Sequence, residues 1–331
     1  MTGLEPVAVI GGGAWGTALA NAAATAGRRV TLWVRDAAAA TDMSARRENA
    51  RYLPGVTLHD GVQPTAEAAA LGKVGVALLV VPAQALRATL ADLGPSLPPG
   101  CPVVVCAKGI ERATGLFMSQ VAAAEMRPGS PVAILSGPSF AADVARNLPT
   151  AVTLACPDGD LAARLAVALS GPSFRVYHGT DIRGVEIGGA AKNVLAIAAG
   201  IVEGRGLGES AKAALVARGF AELLRFATAS GGRPETLMGL SGLGDLVLTC
   251  ASAQSRNFAL GLQIGAGAPL DRATGGKLVE GVFTADALVR LARAARVDMP
   301  IADAVAAVLE RSLSIGEAVD RLMSRPLRAE S

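Results

Sequence analysis

The chain has 331 residues, room for roughly two domains, and 51 % of them are hydrophobic, ample for a sizeable core. Aromatic residues make up only 3 %, so Ala, Val, Leu and Gly must fill that core. The net charge is +3 with no Lys/Arg tract, and there is little aromatic material for base stacking, which argues against nucleic acid as a partner.

Cys101, Cys106, Cys156 and Cys250 form no C-x-x-C, and no Cys/His spacing suits zinc, so no metal site is expected. They read as buried free thiols in a reducing cytosol. Cys101 and Cys106 lie on a predicted strand at odd spacing and should face opposite ways. The N-terminus lacks the cationic start of a signal peptide. The apolar run around Gly188 to Val202 contains Lys192 and Asn193, with Glu186 and Glu203 at its flanks. It is too short and polar for a membrane span and reads as a buried core helix.

The first element is the strand Val7 to Ile10, followed by a glycine turn and a helix from Ala14 to about Ala26. Gly11, Gly13 and Gly16 match G-x-G-x-x-G. In a dinucleotide site Gly11 makes the tight turn, Gly13 admits a pyrophosphate to the backbone, and Gly16 lets the helix pack on the sheet. The free N–H groups of the helix start then face the phosphates. Arg29 to Val34 is a second strand ending in Arg35-Asp36. At that strand end an acidic residue holds a free ribose 2′-hydroxyl and an arginine accommodates a 2′-phosphate. Arg35 comes first, so the expectation leans to NADP(H) with NAD(H) open.

Tyr52 to Gly55 reads as a turn. Gly75 to Val81 is a continuous apolar run of the kind buried on both faces of a parallel sheet. A helix to about Leu93 follows. Further strands are expected at Pro102 to Ala107, Pro131 to Leu135, Thr150 to Cys156 and Ser173 to Tyr177. The alternation gives an α/β fold with a doubly wound, mostly parallel Rossmann-type sheet. Ligands bind beyond the carboxyl ends of such strands. Three polar segments follow strand ends: the glycine loop, Lys108-Gly109 and Gly137-Pro138-Ser139. From about Thr180 only helical patterns remain, so the expected division is a dinucleotide-binding domain at 1–179 and an all-α domain at 180–331. Pro300 reads as a helix start, and Ser314 with Glu317 as a capping box.

There are two histidines, His59 in a loop of the first domain and His178 after the last strand near the domain boundary, and a His–Asp proton relay would need one of them in the cleft. Failing that, lysine is the natural proton donor for a hydride-transfer reaction. Lys192 has Gly188 and Gly189 one turn before it and Ala196 and Ala199 after it. That side-chain-poor face leaves room for a ligand. Burial, or a second cation such as Lys108, would lower its pKa. Asp245 lies in Gly242-Leu243-Gly244-Asp245-Leu246, either as a turn former, a contact to a substrate hydroxyl, or a group that orients a lysine. Ser255-Arg256-Asn257 opens a predicted helix with a hydroxyl, a guanidinium and an amide, which suits a phosphate as well as a plain helix start.

Together these segments resemble the bacterial NAD(P)-dependent glycerol-3-phosphate dehydrogenases over nearly the whole chain. The blocks that carry the resemblance are Gly11-Gly12-Gly13-Ala14-Trp15-Gly16-Thr17-Ala18, Leu32-Trp33-Val34-Arg35, Tyr52-Leu53-Pro54-Gly55, Lys108-Gly109-Ile110-Glu111, Ser136-Gly137-Pro138-Ser139-Phe140-Ala141, Ala191-Lys192-Asn193-Val194, Gly242-Leu243-Gly244-Asp245-Leu246, Ser255-Arg256-Asn257 and Val279-Glu280-Gly281. The resemblance implies reversible reduction of dihydroxyacetone phosphate to sn-glycerol 3-phosphate, supply of glycerophospholipid synthesis, and a cytoplasmic homodimer. It implies Lys192 as the proton donor or acceptor. Substrate would lie against Lys108, Gly137, Ser139, Lys192, Asp245, Ser255, Arg256 and Asn257. The dinucleotide would touch Gly11, Gly13, Ala14, Trp15, Gly16, Arg35, Lys108, Ala141, Arg256, Leu278 and Glu280. Ala14 stands where many members carry serine, and Leu278 where valine is common. Two rivals share parts of this plan: a lysine-dependent reductase of a β-hydroxyacid or ketopantoate, and a non-catalytic dinucleotide-sensing module.

Overall fold

The computed structural model describes residues 4–276 and 278–326. Eight strands form one sheet: β1 (Val7–Ile10), β2 (Val30–Trp33), β3 (Val62–Thr65), β4 (Val76–Leu79), β5 (Val103–Val105), β6 (Val132–Ser136), β7 (Thr150–Ala155) and β8 (Phe174–Gly179). Their order across the sheet is β3-β2-β1-β4-β5-β6-β7-β8. The first six run parallel, β7 is antiparallel to β6, and β8 is parallel to β7. The chain winds outward from β1 to β3 and then returns to β4 on the other side of β1. That reversal opens a crevice at the carboxyl ends of β1 and β4.

Helices cover both faces of the sheet: α1 (Ala14–Thr25), α2 (Ala37–Arg46), α3 (Leu86–Leu93), α4 (Met118–Glu125), α5 (Ala141–Ala145) and α6 (Gly159–Leu169). The aliphatic strands suit this double burial. Val9, Leu32, Val104 and Cys106 pack with residues of α1 and α6. Ile10, Leu79, Val103, Val105 and Cys101 pack with α3 and α4 on the other face. Cys101 and Cys106 thus face opposite ways, as their odd spacing requires. β3 escaped the sequence reading because Pro64 interrupts it. Proline lacks the N–H that a central strand needs, and β3 tolerates it at the sheet edge, paired only with β2.

After β8 the described residues are helical: α7 (Ile182–Gly204), α8 (Glu209–Ala229), α9 (Pro234–Met238), α10 (Asp245–Cys250), α11 (Arg256–Gly265), α12 (Leu270–Thr274), α13 (Glu280–Ala294), α14 (Pro300–Leu309) and α15 (Ile315–Met323). A π-helical turn at Leu240–Gly244 leads into α10. Pro300 opens α14, and Ser314 with Glu317 caps α15 reciprocally. α7 is the axis of this half. It is buried from Gly184 to Val202 and therefore has no polar face. Its mean hydropathy of 1.5 would suit a membrane, yet that stretch lies wholly inside the protein.

Two contacts fix α7. Glu186 reaches to the start of α4, where the Ser119 N–H and hydroxyl donate to its carboxylate at 2.7 and 2.8 Å. Toward its other end α7 crosses α11 at near backbone contact. A Cβ on Gly200 would lie 2.2 Å from the Phe258 carbonyl oxygen, and one on Gly261 would lie 2.1 Å from that of Ile197. Neither helix backbone can yield there without displacing the other. Gly261→Ala is therefore expected to destabilise the protein by about 1–3 kcal/mol, the usual scale of overpacking. Urea unfolding monitored by far-ultraviolet circular dichroism would measure it, and an unchanged midpoint would refute the close-crossing account.

Candidate active site

The parallel strands end at one edge, and the glycine loop leaves β1 there. Gly11 adopts φ +121°, which a side chain would strain. A Cβ on Gly16 would stand 1.8 Å from the Gly11 carbonyl oxygen, whereas one on Gly13 would meet nothing within 4 Å. The loop is thus tight at both ends and open in the middle. α1 starts without a side-chain cap, and its first bond runs from the Thr17 N–H to the Gly13 carbonyl. The preceding N–H groups at Ala14, Trp15 and Gly16 point beyond the helix start, as an anion site requires. The Trp15 ring also packs 6.5 Å from Phe174, so part of its surface belongs to the core.

β2 ends beside this loop. The two charges that follow have different environments. The Asp36 carboxylate caps α2, accepting from the Ala38 and Ala39 N–H groups at 2.9 and 3.3 Å. Arg35 is exposed. The acidic residue is committed to a helix start, and among the described residues no ion pair engages the arginine.

The chemical centre lies where the segment after β5 meets α7 and α10. Lys192 Nζ donates to Asp245 Oδ1 at 2.5 Å and to Thr249 Oγ1 at 2.7 Å. Lys108 Nζ donates to the other oxygen, Asp245 Oδ2, at 2.7 Å and to the Gly137 carbonyl at 2.9 Å. One carboxylate, 1 % exposed, therefore holds two ammonium groups. Burial pushes the Lys192 ammonium down to about 8, Lys108 adds to the fall, and Asp245 opposes it. Burial alone would raise the Asp245 carboxyl, but the two cations outweigh it and hold it below the usual carboxylate range. An ammonium has three hydrogens. Two on each lysine are engaged, which leaves one on each for a ligand.

Thr249 was missed in the sequence. Its signal is the spacing of four from Asp245, which puts both on one face of α10. The Thr249 hydroxyl also donates to the Asp245 carbonyl at 2.5 Å, which fixes the lone pair that Lys192 meets.

The glycine face of α7 differs from the expectation. No ligand space lies against Gly188 and Gly189. The Ser241 carbonyl lies 2.6 Å from where a Cβ on Gly188 would be, and Ser136 Oγ lies 2.7 Å from that of Gly189. These glycines let the protein's own π-turn and the end of β6 close around Lys192.

Asn257 is partly engaged by the protein, through one of its two Nδ2 hydrogens and its Oδ1. Its Nδ2 donates to Asn193 Oδ1 and its Oδ1 accepts from the Gly281 N–H, both at 2.9 Å. Asn193 in turn donates to the Lys108 carbonyl at 3.0 Å. The side-chain amide joins α7, α11 and α13, while Ser255 caps α11 through the Phe258 N–H and Arg256 reaches outward to the Leu278 carbonyl at 3.0 Å. Ser139 is partly exposed and donates to the Gly137 carbonyl at 3.0 Å. Ala141 opens α5, which has no side-chain cap. His59 and His178 are exposed, and the hydrogen bonds around Lys192 include neither.

The residues fit a dinucleotide. Besides the open middle of the glycine loop, Glu280 at the start of α13 accepts from the Ala83 N–H at 3.0 Å through Oε1. Its Oε2, next to Gly109, is buried without a hydrogen-bond partner among the described residues. A buried acceptor of that kind calls for a donor, and a carboxamide or a ribose hydroxyl supplies one.

Residues 6–162 match the family model described as NAD-dependent glycerol-3-phosphate dehydrogenase N-terminus, and residues 181–320 match that of its C-terminus. The chain is 62 % identical to a protein of Methylobacterium radiotolerans and 59 % identical to one of Azorhizobium caulinodans, with all of each chain covered. Both carry the name glycerol-3-phosphate dehydrogenase [NAD(P)+]. A solved glycerol-3-phosphate dehydrogenase of Coxiella burnetii superposes with a TM-score of 0.91 at 38 % identity, over 98 % of this chain and 100 % of that one. A ketopantoate reductase of Ralstonia eutropha, at a TM-score of 0.60 and 16 % identity, shares the fold alone. The chain belongs to the NAD-dependent glycerol-3-phosphate dehydrogenase family.

Proposed function

We propose that this chain reversibly reduces dihydroxyacetone phosphate to sn-glycerol 3-phosphate with NADPH or NADH. Residues 1–179 would bind the dinucleotide and residues 180–331 would bind substrate and carry the proton donor. The observation that carries this reading is the buried Asp245 carboxylate between Lys108 and Lys192, each lysine with one hydrogen left. When bound, the nicotinamide supplies hydride to the ketone carbon. Negative charge then builds on the carbonyl oxygen. Lys192 donates its proton there, and Lys108 stabilises the charge as a fixed cation. Asp245 and Thr249 keep the Lys192 ammonium aimed.

The phosphate end of the substrate would meet the start of α11. The Ser255 hydroxyl, which accepts from the Phe258 N–H, would donate its own hydrogen, Arg256 would bring a guanidinium, and the first-turn N–H groups would add to both. Asn257 would contribute its backbone N–H and the second hydrogen of its Nδ2. Fixing the phosphate orients the carbon to be reduced. For the cofactor, the engagement of Asp36 as a helix cap supports Arg35 as a partner for a 2′-phosphate and hence a preference for NADPH. The wider reading, from likeness to the family, is a cytoplasmic homodimer that supplies glycerophospholipid synthesis. Light scattering at the monomer mass of 33.2 kDa would remove the dimer.

Lys192→Ala should lower turnover roughly 10²–10⁴-fold, the scale of a general acid, with NADPH affinity nearly unchanged in a fluorescence titration. Near-normal turnover would sink the assignment. The pH dependence has a sign that differs with direction. Reduction needs the Lys192 ammonium and should fall as pH rises through about 8, while oxidation needs the amine and should rise through about 8. Asp245→Asn removes the group that raises Lys192, so both limbs should move to lower pH; a shift to higher pH would contradict the arrangement. Arg35→Ala should raise the KM for NADPH roughly 10-fold or more, as expected for the loss of a charge-assisted contact, and leave that for NADH within a few-fold. Equal changes for both would show that Arg35 does not meet the 2′-phosphate.

A further inference from the structure

Asn49 lies outside every motif discussed so far, yet its side chain reaches the middle of the glycine loop. It is 3 % exposed. Its Nδ2 donates to the Gly12 carbonyl at 2.9 Å and to the Thr17 hydroxyl oxygen at 2.7 Å, so both hydrogens of the amide are used. The Asn49 carbonyl in turn accepts from the Tyr52 and Leu53 N–H groups at 3.2 and 2.9 Å, which ties the Tyr52-to-Gly55 turn to the same residue. On its other side Gly12 is closed off by Val34, whose Cγ1 would stand 2.2 Å from a Cβ there.

The consequence follows from peptide geometry. The Gly12 C=O and the Gly13 N–H belong to one planar trans unit, and they point in opposite directions. Holding the Gly12 oxygen fixes the direction of the Gly13 N–H. The surroundings of Gly13 are open. Glycine on both sides of this peptide would otherwise let it rotate at little steric cost. Gly13 opens the only stretch of the loop with room for a pyrophosphate, and its N–H continues the row presented by Ala14, Trp15 and Gly16. Thr17 anchors the amide from inside α1, so the donor is oriented from the helix it serves.

We propose that Asn49 is a positioning residue for the dinucleotide: by locking the Gly12–Gly13 peptide it pre-orients the backbone N–H groups that receive the pyrophosphate. The proposal rests on the dinucleotide reading of the glycine loop. Its effect belongs to the pyrophosphate and not to the adenosine end, where Arg35 lies, nor to Lys192.

The test is equilibrium binding by fluorescence titration of the full chain and its Asn49→Ala and Thr17→Val variants, with NADPH, NADH and adenosine 2′-phosphate as ligands. In Asn49→Ala both dinucleotides should weaken by the same factor, roughly 10- to 100-fold, the scale of losing a buried hydrogen-bonding partner. Adenosine 2′-phosphate has no pyrophosphate and should bind within about threefold of the parent. Turnover at saturating NADPH and the KM for dihydroxyacetone phosphate should move little, because Lys192 and α11 are untouched. Thr17→Val keeps the Gly12 bond and removes the anchor, so it should weaken both dinucleotides in the same pattern by a smaller factor. It carries the test if Asn49→Ala does not fold. Unchanged dinucleotide affinity in both variants overturns the proposal. So does an equal loss for adenosine 2′-phosphate, which would mean general damage to the domain. Failure of the parent chain to bind either dinucleotide would instead remove the underlying reading.

Discussion

The Asp245 carboxylate, buried between Lys108 and Lys192, is the interaction on which the site depends. Taking three charges out of water is expensive, and one carboxylate neutralises only one of two cations. Hydrogen bonding offsets part of that cost: besides Asp245, Thr249 accepts from Lys192 and the Gly137 carbonyl accepts from Lys108. It nevertheless remains one positive charge in excess. In the proposed reaction an alkoxide forming at the ketone oxygen would complete the balance that the folded chain lacks. The residual charge is better matched to the transition state than to a neutral ketone, which is the form that electrostatic catalysis takes. The same excess explains why Lys192 lies near 8 despite its carboxylate partner, because burial and Lys108 act together against it. Cys250 sits behind the cluster, but burial pushes its thiol up to about 12, so it adds no competing anion.

Holding this cluster requires backbone segments to approach α7 more closely than ordinary side chains allow. The small residues of α7 are distributed accordingly. Gly188 receives the π-turn that carries the chain into Asp245, Gly189 receives the end of β6 and the Lys108 stem, and Gly200 receives α11. The helix is thus a template of depressions, each matched to one segment of the site. A chain with few aromatics can still build a dense core this way, since backbone–backbone packing replaces large side chains. The arrangement also makes the groups proposed to bind substrate and donate the proton dependent on one rigid element.

The sheet was largely legible because strands buried on both faces need unbroken aliphatic runs, and the runs ending at Ile10, Leu79 and Val105 show that pattern. The strand at Val62 to Thr65 was not, since Pro64 is compatible only with an edge position that local sequence does not reveal. The antiparallel turn of β7 was likewise invisible, because a hydrophobic run carries no direction. Within the site, Lys192 stood out through its glycine neighbours, but the reason was misjudged: the empty face serves protein, not ligand. The pairing of Lys108 with Lys192 through Asp245 spans segments far apart in sequence, and only the fold brings them together. Asn257 illustrates the limit from the other side. An amide at a helix start looks like a donor for phosphate, and nothing local signals that Asn193 takes one of its two hydrogens and Gly281 its oxygen.

Neutral amides and charged groups divide the work of the site by their response to solvent. Charges stand at the centre, where their strength in a low dielectric suits the proposed chemistry at a ketone oxygen. The scaffold around them is assembled from carbonyl and amide contacts: Asn193 to Lys108, Asn257 to Asn193, the Gly281 N–H to Asn257. Each is nearly indifferent to pH and salt, so titration of the lysines leaves the frame in place. Had the frame used ion pairs, each would have imposed its own field on the Lys192 ammonium and coupled its protonation to distant groups. The amide frame instead leaves that ammonium governed by its burial, Asp245 and Lys108, which suits the proposed use of a single lysine as acid in one direction and base in the other.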